Sequence, residues 1–377
     1  MKRAVLLSTH LPWSDRRASF HWIADALVDA GWEVDFATIG YSHLARLKQR
    51  RSGDAPSRAP RRGRTCLGPR LHHLFLPQAF HPVVTGSPSL DVMLGRAWQI
   101  SSRKWVPILS DPISRADVVI VESGLPLALV PLIRRMAPDA SITYRINDDV
   151  SAMRLPRWLK ASEERWAGMC DRLSLASPEL ARRFDHPNVT LDPMGVPRDT
   201  LPAKDGMADP YLPRHPVEAV CAGTSHIDLR RLSDWAQDHP LWRCHIVGRV
   251  KERPDALPAN LVLHGELPYC QMLDLVAHAD VGLAAYRDCP GVEYQRAHSN
   301  RIQLYRHYGL PILGPDRLCH PSVPALLGYE QPDAAFRCET WRRRPEALPD
   351  WSDLARALVQ NVEIEPPFDV AVPPARL

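Results

Sequence analysis

The sequence lacks the short motifs that mark the commonest nucleotide chemistries. No Gly-x-Gly-x-x-Gly follows the first apolar run, which disfavours a nicotinamide enzyme, and no Gly-x-x-x-x-Gly-Lys-Ser/Thr occurs, which disfavours a P-loop kinase. No Asp-x-Asp appears anywhere, so the usual paired-carboxylate handle for Mg²⁺ or Mn²⁺ on a diphosphate is missing, and no metal or other cofactor is expected. The eight cysteines (Cys66, Cys170, Cys221, Cys244, Cys270, Cys289, Cys319, Cys338) form no Cys-x-x-Cys pair and no Cys/His ligand spacing. Neither a zinc site nor a disulfide framework is therefore expected. No stretch approaches the roughly 20 apolar residues of a membrane span, so any membrane contact is expected to be peripheral. A net charge of only +4 gives no whole-molecule case for a nucleic-acid partner.

What is present points to two ordinary globular domains. The 377 residues exceed one comfortable core, and 37 prolines are spread along the chain as rigid turns rather than gathered in a tail. Short apolar runs alternate with helical periodicity. Strands are expected at 4–8, 32–38, 71–76, 116–121, 141–146 and 172–176, with helices at 20–28, 90–100, 125–136 and 157–167 between them. Strand followed by helix, repeated, implies a parallel α/β sheet. A second series of strands at 217–222, 244–247, 261–264, 281–284 and 311–313 implies a second sheet. The Pro-containing stretch near 200–213 separates them, giving expected domains of 1–205 and 206–350, with 351–377 as a final helix and tail positioned to pack back on the first. Between positions 46 and 64 lie Arg46, Lys48, Arg50, Arg51, Arg58, Arg61, Arg62 and Arg64 against the single acid Asp54. Residues 49–64 read as a loop, and the basic run suits either an anionic lipid surface or a solvated segment. The basic start is cut short by His10 and Pro12, which reads as a buried first strand in a reducing cytosol rather than a signal peptide.

Tandem α/β domains place a ligand cleft where the carboxyl ends of both sheets face each other, so strand ends are where chemistry is sought. Asn147-Asp148-Asp149 follows a strand, and a carboxylate there suits a general base for an acceptor hydroxyl. The same residues also suit a turn or helix cap, and spacing alone does not decide. Glu122 ends the preceding strand and His10 the first, and both are acceptor-side candidates together with Asp149. In the second domain, Gly223 and Thr224 lead from a strand into a helix, where backbone N–H groups can meet a pyrophosphate. Arg249 and Glu266 follow the next two strands, and a carboxylate at Glu266 can accept both ribose hydroxyls. Tyr294, Ser299, Asn300 and Arg301 open a further helix, where a cation beside helix-end N–H groups fits a leaving diphosphate.

Spaced identities then tie these positions together. They include Leu7-Ser8-Thr9-His10 with Arg16-Arg17-Ala18, the segment Tyr41-Ser42-His43-Leu44-Ala45-Arg46-Leu47-Lys48, and Ala116-Asp117-Val118-Val119-Ile120-Val121-Glu122-Ser123-Gly124. They continue at Tyr144-Arg145 with Asp148 and Ser151, Gly265-Glu266, Gln271, His278-Ala279, Gly282 and Gly309-Leu310-Pro311. On these residues the sequence resembles the xanthan-type glucuronosyltransferase family. The resemblance implies a GT-B fold, two Rossmann-like domains whose parallel sheets face a central cleft. It also implies an inverting, metal-independent transfer of glucuronate from UDP to a polyprenyl-diphosphate-linked oligosaccharide in exopolysaccharide synthesis. The family's aspartate matching Asp148 is the general base, and its glutamate matching Glu266 belongs to the nucleotide site. Two departures stand out: Arg301 replaces a family lysine in the uridine-diphosphate site, and Asp149 replaces a small glycine. Because Arg301 also stands eight residues after Glu293, the Glu-x7-Glu of another large GT-B group is absent. The family's membrane association implies a cytoplasmic protein held peripherally at the inner face of the cell membrane, with residues 46–64 as the expected lipid contact. The rival readings are another UDP-hexose donor, a nucleotide-sugar epimerase of the same fold, and a membrane-bound scaffold without activity.

Overall fold

The computed structural model describes residues 1–14, 17–42, 59–78, 83–153, 155–198, 201, 208–250 and 256–360. The first domain runs β1 (Arg3–Ser8), α1 (Ser19–Asp29), β2 (Glu33–Thr38), β3 (Gly63–Cys66), β4 (Leu71–Phe75), α2 (Pro88–Ser102), α3 (Val106–Ser114), β5 (Val118–Glu122), α4 (Val130–Met136), β6 (Ile142–Ile146), α5 (Arg157–Lys160), α6 (Glu163–Ala167), β7 (Arg172–Leu175) and β8 (Val189–Leu191). Its sheet has the order β3-β4-β2-β1-β5-β6-β7-β8, and only β3 is antiparallel to its neighbour. The second domain runs β9 (Val217–Ala222), α7 (Leu229–Asp238), β10 (Trp242–Val247), β11 (Leu261–Gly265), α8 (Tyr269–His278), β12 (Val281–Leu283), α9 (Gln295–His298), α10 (Asn300–His307), β13 (Ile312–Gly314), β14 (Leu326–Gly328) and α11 (Ala334–Glu339). Its sheet, β11-β10-β9-β12-β13-β14, is parallel throughout.

The central strands β5 (VVIVE) and β6 (ITYRI) are buried along their whole length, as strands covered by helices on both faces must be. That is why they read as continuous apolar runs rather than alternating ones. Helices cover both faces of the first sheet, with Trp98, Trp105 and Ile133 in the cluster on one side and Phe20, Ile23 and Leu27 of α1 on the other. Among the described residues no helix is long and apolar enough to cross a membrane.

Three sequence expectations are corrected. The expected loop over 49–64 ends in β3, an edge strand whose Arg64 donates to Asp35 (2.7 Å) and Glu33 (2.8 Å) of β2, so this arginine's charge is matched within the fold. Residues 43–58 lie outside the described residues. The expected helix over 157–167 is two short helices, α5 and α6, broken at Ala161 and Ser162. The segment 125–136 opens with a 3₁₀ stretch at Leu125–Leu129 before α4. The segment 125–136 contains Pro126 and Pro131, whose missing N–H and fixed φ favour a short, tight turn before the α-helix.

The last described helix, α12 (Trp351–Val359), returns to the first domain. Trp351, Leu354, Ala355 and Leu358 join the cluster built on α1, and the Trp22 and Trp351 rings stack 6.3 Å apart at 9°. The chain crossing is tight: the Val196 N–H donates to Pro349 O at 2.9 Å, and a Cβ on Gly195 would lie 2.6 Å from the Trp351 backbone nitrogen. Asp350 caps the helix by accepting from the Ser352 N–H at 2.8 Å. Leu354→Ala is expected to cost about 2–5 kcal/mol, as for other buried leucines, and urea unfolding of the full chain measures it. A loss below about 1 kcal/mol would show that α12 contributes nothing to the core it touches.

Candidate active site

Parallel strands bring their carboxyl ends to one edge of each sheet, and the expected residues are distributed along these edges. Asp148 follows β6 at the rim of the first domain. Its Oδ1 accepts from the Tyr294 hydroxyl at 3.2 Å and lies 3.4 Å from Nε2 of His298, both from the second domain. The Tyr294 ring joins the first domain's apolar cluster, so it is an anchor across the cleft as well as a hydrogen-bond donor. Burial pushes the Asp148 carboxyl up, but His298, Tyr294 and the more distant His226 outweigh it and hold the group below the ordinary aspartate value. His298 Nδ1 is buried without a hydrogen-bond partner among the described residues, consistent with the proton sitting on Nε2, toward the carboxylate.

Asp149 is committed elsewhere. Its Oδ1 accepts from the Ser151 N–H (2.8 Å) and hydroxyl (2.6 Å) and pairs with Arg183 at 2.7 Å. Arg183 also pairs with Glu163, whose carboxylate accepts from the Tyr144 hydroxyl at 2.9 Å. The two adjacent acids therefore divide their roles: Asp149 holds the turn that presents Asp148.

On the same rim, Glu122 accepts at Oε2 from the Ser8 hydroxyl (2.7 Å) and the Thr9 N–H (3.1 Å). Its other oxygen lies 3.6 Å from His10 Nε2. Glu122 thus bridges β1 and β5 behind a half-exposed His10, rather than capping a helix. Asn147 donates to the Ser19 hydroxyl at 2.9 Å, tying the end of β6 to the start of α1.

The donor-side candidates lie around the ends of β9 to β12. Gly223 has φ +103°, a conformation that favours glycine, and it turns the chain away from β9 just above Arg301. Arg301 is buried in α10. Its Nη2 donates to Ser225 O at 3.0 Å, its Nη1 to Cys221 Sγ at 3.4 Å, and its guanidinium lies 4.5 Å from the centre of the Tyr286 ring. Burial opposes the charge, but the surrounding tyrosines and Cys221 favour it, and the charged form is held more firmly than usual. Among the described residues no carboxylate pairs with Arg301. Ser299 caps α10, accepting from the Ile302 N–H at 3.4 Å and from the Tyr286 hydroxyl.

The amides of Gly223 and Ser299 are already taken, by Val247 O and Gln295 O, both at 2.9 Å. Helix geometry leaves the N–H groups of Asn300 and Arg301 for an anion instead. Thr224 donates to Arg249 O at 2.8 Å, and Glu266 accepts from the Arg249 N–H at 3.3 Å, which links the turns after β9, β10 and β11.

Sequence reasoning missed Tyr286 and His226 and left His298 without a role. Tyr286 lies just past β12, where the strand-end rule could have found it. His226 has φ +55°, the only non-glycine residue with positive φ among those described. Nothing in the local sequence marks that conformation.

Two parallel-sheet domains meeting at a cleft, with a carboxylate on one rim and a buried arginine on the other, define a GT-B glycosyltransferase. Residues 6–176 match the family described as glucuronosyltransferase GumK, N-terminal domain. Over 327 residues the chain is 25% identical to the UDP-glucuronate:glycolipid 2-beta-glucuronosyltransferase of Xanthomonas campestris pv. campestris, covering 86% of this chain and 79% of that protein. The first domain carries the family match, and together these similarities support the resemblance to the xanthan-type glucuronosyltransferase family. The apo structure of OtsA superposes with a TM-score of 0.60 at 11% identity, covering 95% of each chain. The spinosyn rhamnosyltransferase SpnG gives 0.50 at 12%, again over 95% of each. At such identities these two structures speak to the fold alone.

The lowered Asp148 value sets a pH dependence. A depressed carboxyl stabilises the fold fully above its unfolded value, about 3.9, and that stability is lost as pH falls through the lower folded value. His298→Ala removes the largest favourable influence, so the Asp148 value rises. The acid limb of the kcat/KM profile is expected to move to higher pH, and an unmoved limb would dissociate His298 from the carboxylate.

Proposed function

We propose that this protein transfers a sugar, glucuronate in the first instance, from UDP to a hydroxyl of a glycolipid with inversion at the anomeric carbon. The observation that carries this reading is the approach of Asp148 on the first domain to Tyr294 and His298 on the second. A group that must act on an acceptor beside a bound donor has to stand at that junction. The acceptor proposed is a polyprenyl-diphosphate-linked oligosaccharide at the inner face of the cell membrane, in exopolysaccharide synthesis. The named relative acts on a glycolipid, which supports this choice.

In the proposed step the Asp148 carboxylate takes the acceptor hydroxyl proton while the oxygen bonds to the anomeric carbon. The bond from that carbon to the diphosphate oxygen breaks, and UDP leaves with the electron pair. One displacement from the face opposite the leaving group inverts the centre. Arg301 and the first N–H groups of α10 meet the charge that builds on the diphosphate, and because they are fixed before reaction they need little reorganisation. In this reading Glu266 accepts the ribose hydroxyls, supported by the Thr224 and Arg249 hydrogen bonds that hold the adjoining turns. His10, with Glu122 behind it, faces the acceptor side. The transfer is proposed to run without a metal, because the sequence has no Asp-x-Asp and Arg301 supplies a permanent cation where diphosphate charge must be met.

Asp148→Asn is expected to lower kcat by roughly 10²–10⁴ while leaving donor-induced thermal stabilisation unchanged. Normal turnover in this variant would remove Asp148 as the base. Arg301→Ala is expected to abolish stabilisation by UDP. In a thermal-shift panel, UDP-glucuronate should stabilise more than UDP-glucose, UDP-GlcNAc or GDP-mannose, whereas an equal or larger shift with UDP-glucose reassigns the donor. Addition of EDTA should leave the rate unchanged, and a rate that falls with EDTA and returns with Mg²⁺ would overturn the metal-free step.

A further inference from the structure

The turn that follows β9 is fastened along its length. The Gly223 N–H donates to Val247 O at 2.9 Å, the Thr224 hydroxyl to Arg249 O at 2.8 Å, and Arg301 to Ser225 O at 3.0 Å. The Arg287 N–H donates to His226 O at 3.0 Å, Ile227 bridges to Tyr286, and the Asp228 N–H donates to Ala285 O at 2.9 Å. Asp228 also caps α7, accepting from the Arg231 N–H at 3.0 Å. Within this fixed turn His226 has φ +55°, a conformation that a histidine enters at a cost and a glycine without one. Such strain persists only where the surroundings impose it, and strained residues gather at ligand sites. What the turn leaves over is the His226 ring: the residue is exposed, and no described residue hydrogen-bonds the imidazole.

The two halves of the proposed reaction bracket this residue. Its neighbour Ser225 is held by Arg301, which meets the diphosphate, and its ring is close enough to Asp148 across the cleft to favour that carboxylate. A hexose joined to the diphosphate at one end and open to Asp148 at the other has to lie beside residue 226. Glucuronate brings a further negative charge into a cleft where Asp148 is already ionised, and the two repel unless a donor or cation stands with the newcomer. Arg301 is committed to Ser225, Cys221 and the diphosphate, and His298 to Asp148. The His226 imidazole carries no such commitment.

We propose that His226 recognises the carboxylate of the donor sugar, donating an imidazole N–H to the C6 carboxylate of glucuronate and so setting the preference for UDP-glucuronate over UDP-glucose. The inference deepens the donor reading above and rests on it. It gives a reason for a histidine where glycine would relieve the backbone: the side chain serves the ligand at the expense of the turn. UDP-glucose presents a neutral hydroxymethyl group at the same place and forms no charge-assisted hydrogen bond there.

Calorimetric titration of the full-length protein with UDP, UDP-glucose and UDP-glucuronate tests this, with the kcat/KM ratio of the two donors measured in parallel. The unaltered protein is expected to bind UDP-glucuronate more tightly than UDP-glucose. In His226→Gly that affinity should fall about tenfold, the loss of one charge-assisted hydrogen bond, while UDP and UDP-glucose stay within about twofold. The melting temperature of His226→Gly should be no lower than that of the unaltered protein, because the strain is released. His226→Gln, which keeps an N–H donor, should recover part of the preference, and Arg287→Ala should retain it. The proposal alone is overturned if the unaltered protein prefers UDP-glucuronate and His226→Gly keeps that preference, if the variant loses UDP binding to the same extent, or if Arg287→Ala abolishes the preference instead. An unaltered protein that binds both donors equally overturns the glucuronate reading and this inference together.

Discussion

A parallel strand covered on both faces can present side chains to a ligand only where it ends. The inner parallel strands of both sheets, such as β1, β5, β6 and β9, obey this constraint, so the chemistry of the molecule is concentrated at two sheet edges and the cleft between them. Asp148, Glu122 and His10 stand on one edge, and the turns carrying Gly223, Arg249 and Glu266 stand on the other. The contacts of Tyr294 and His298 with Asp148 follow from the same constraint: once both edges carry polar groups, bringing the domains together forces those groups to find partners across the gap. α12 reinforces the arrangement by fastening the end of the chain to α1 through Trp351 and Leu354.

The same constraint explains what could be read from the sequence. Strands β1, β5, β6 and β9 are buried runs whose boundaries are visible because an apolar stretch ends in polar or small residues, and their end residues are chemical candidates by position. Asp148 emerged in this way, although position alone left it open between a base and a turn residue; its neighbour Asp149 is held by Arg183 and Ser151. The strand β3 was not legible, because an edge strand of the sequence Gly-Arg-Thr-Cys has no apolar pattern and is held by pairing with β4 and by Arg64 on Asp35 and Glu33. Nor were His226 and Tyr286. One takes a left-handed conformation that its sequence does not announce, and the other acts through a ring face presented to an arginine fifteen positions later. Contacts made across domains carry no periodicity for a sequence to display.

The buried guanidinium of Arg301 carries the argument on the donor side. Placing a cation out of water without a carboxylate is costly, and proteins ordinarily avoid it by pairing. Here the Tyr286 ring, the Ser225 carbonyl and the Cys221 sulfur hold the charge without neutralising it. A carboxylate in their place would satisfy the fold better and would repel a diphosphate. The incomplete neutralisation is therefore coherent with a site whose missing charge arrives with the substrate. It also bears on the departure from the family's lysine: a lysine offers a point charge, whereas this guanidinium spends donors on Cys221 and Ser225 and has its planar face on Tyr286. Exchange for lysine at this position would keep the charge but lose the contacts that orient it, so the arginine and Tyr286 form a unit, and an account of donor selectivity has to treat them together.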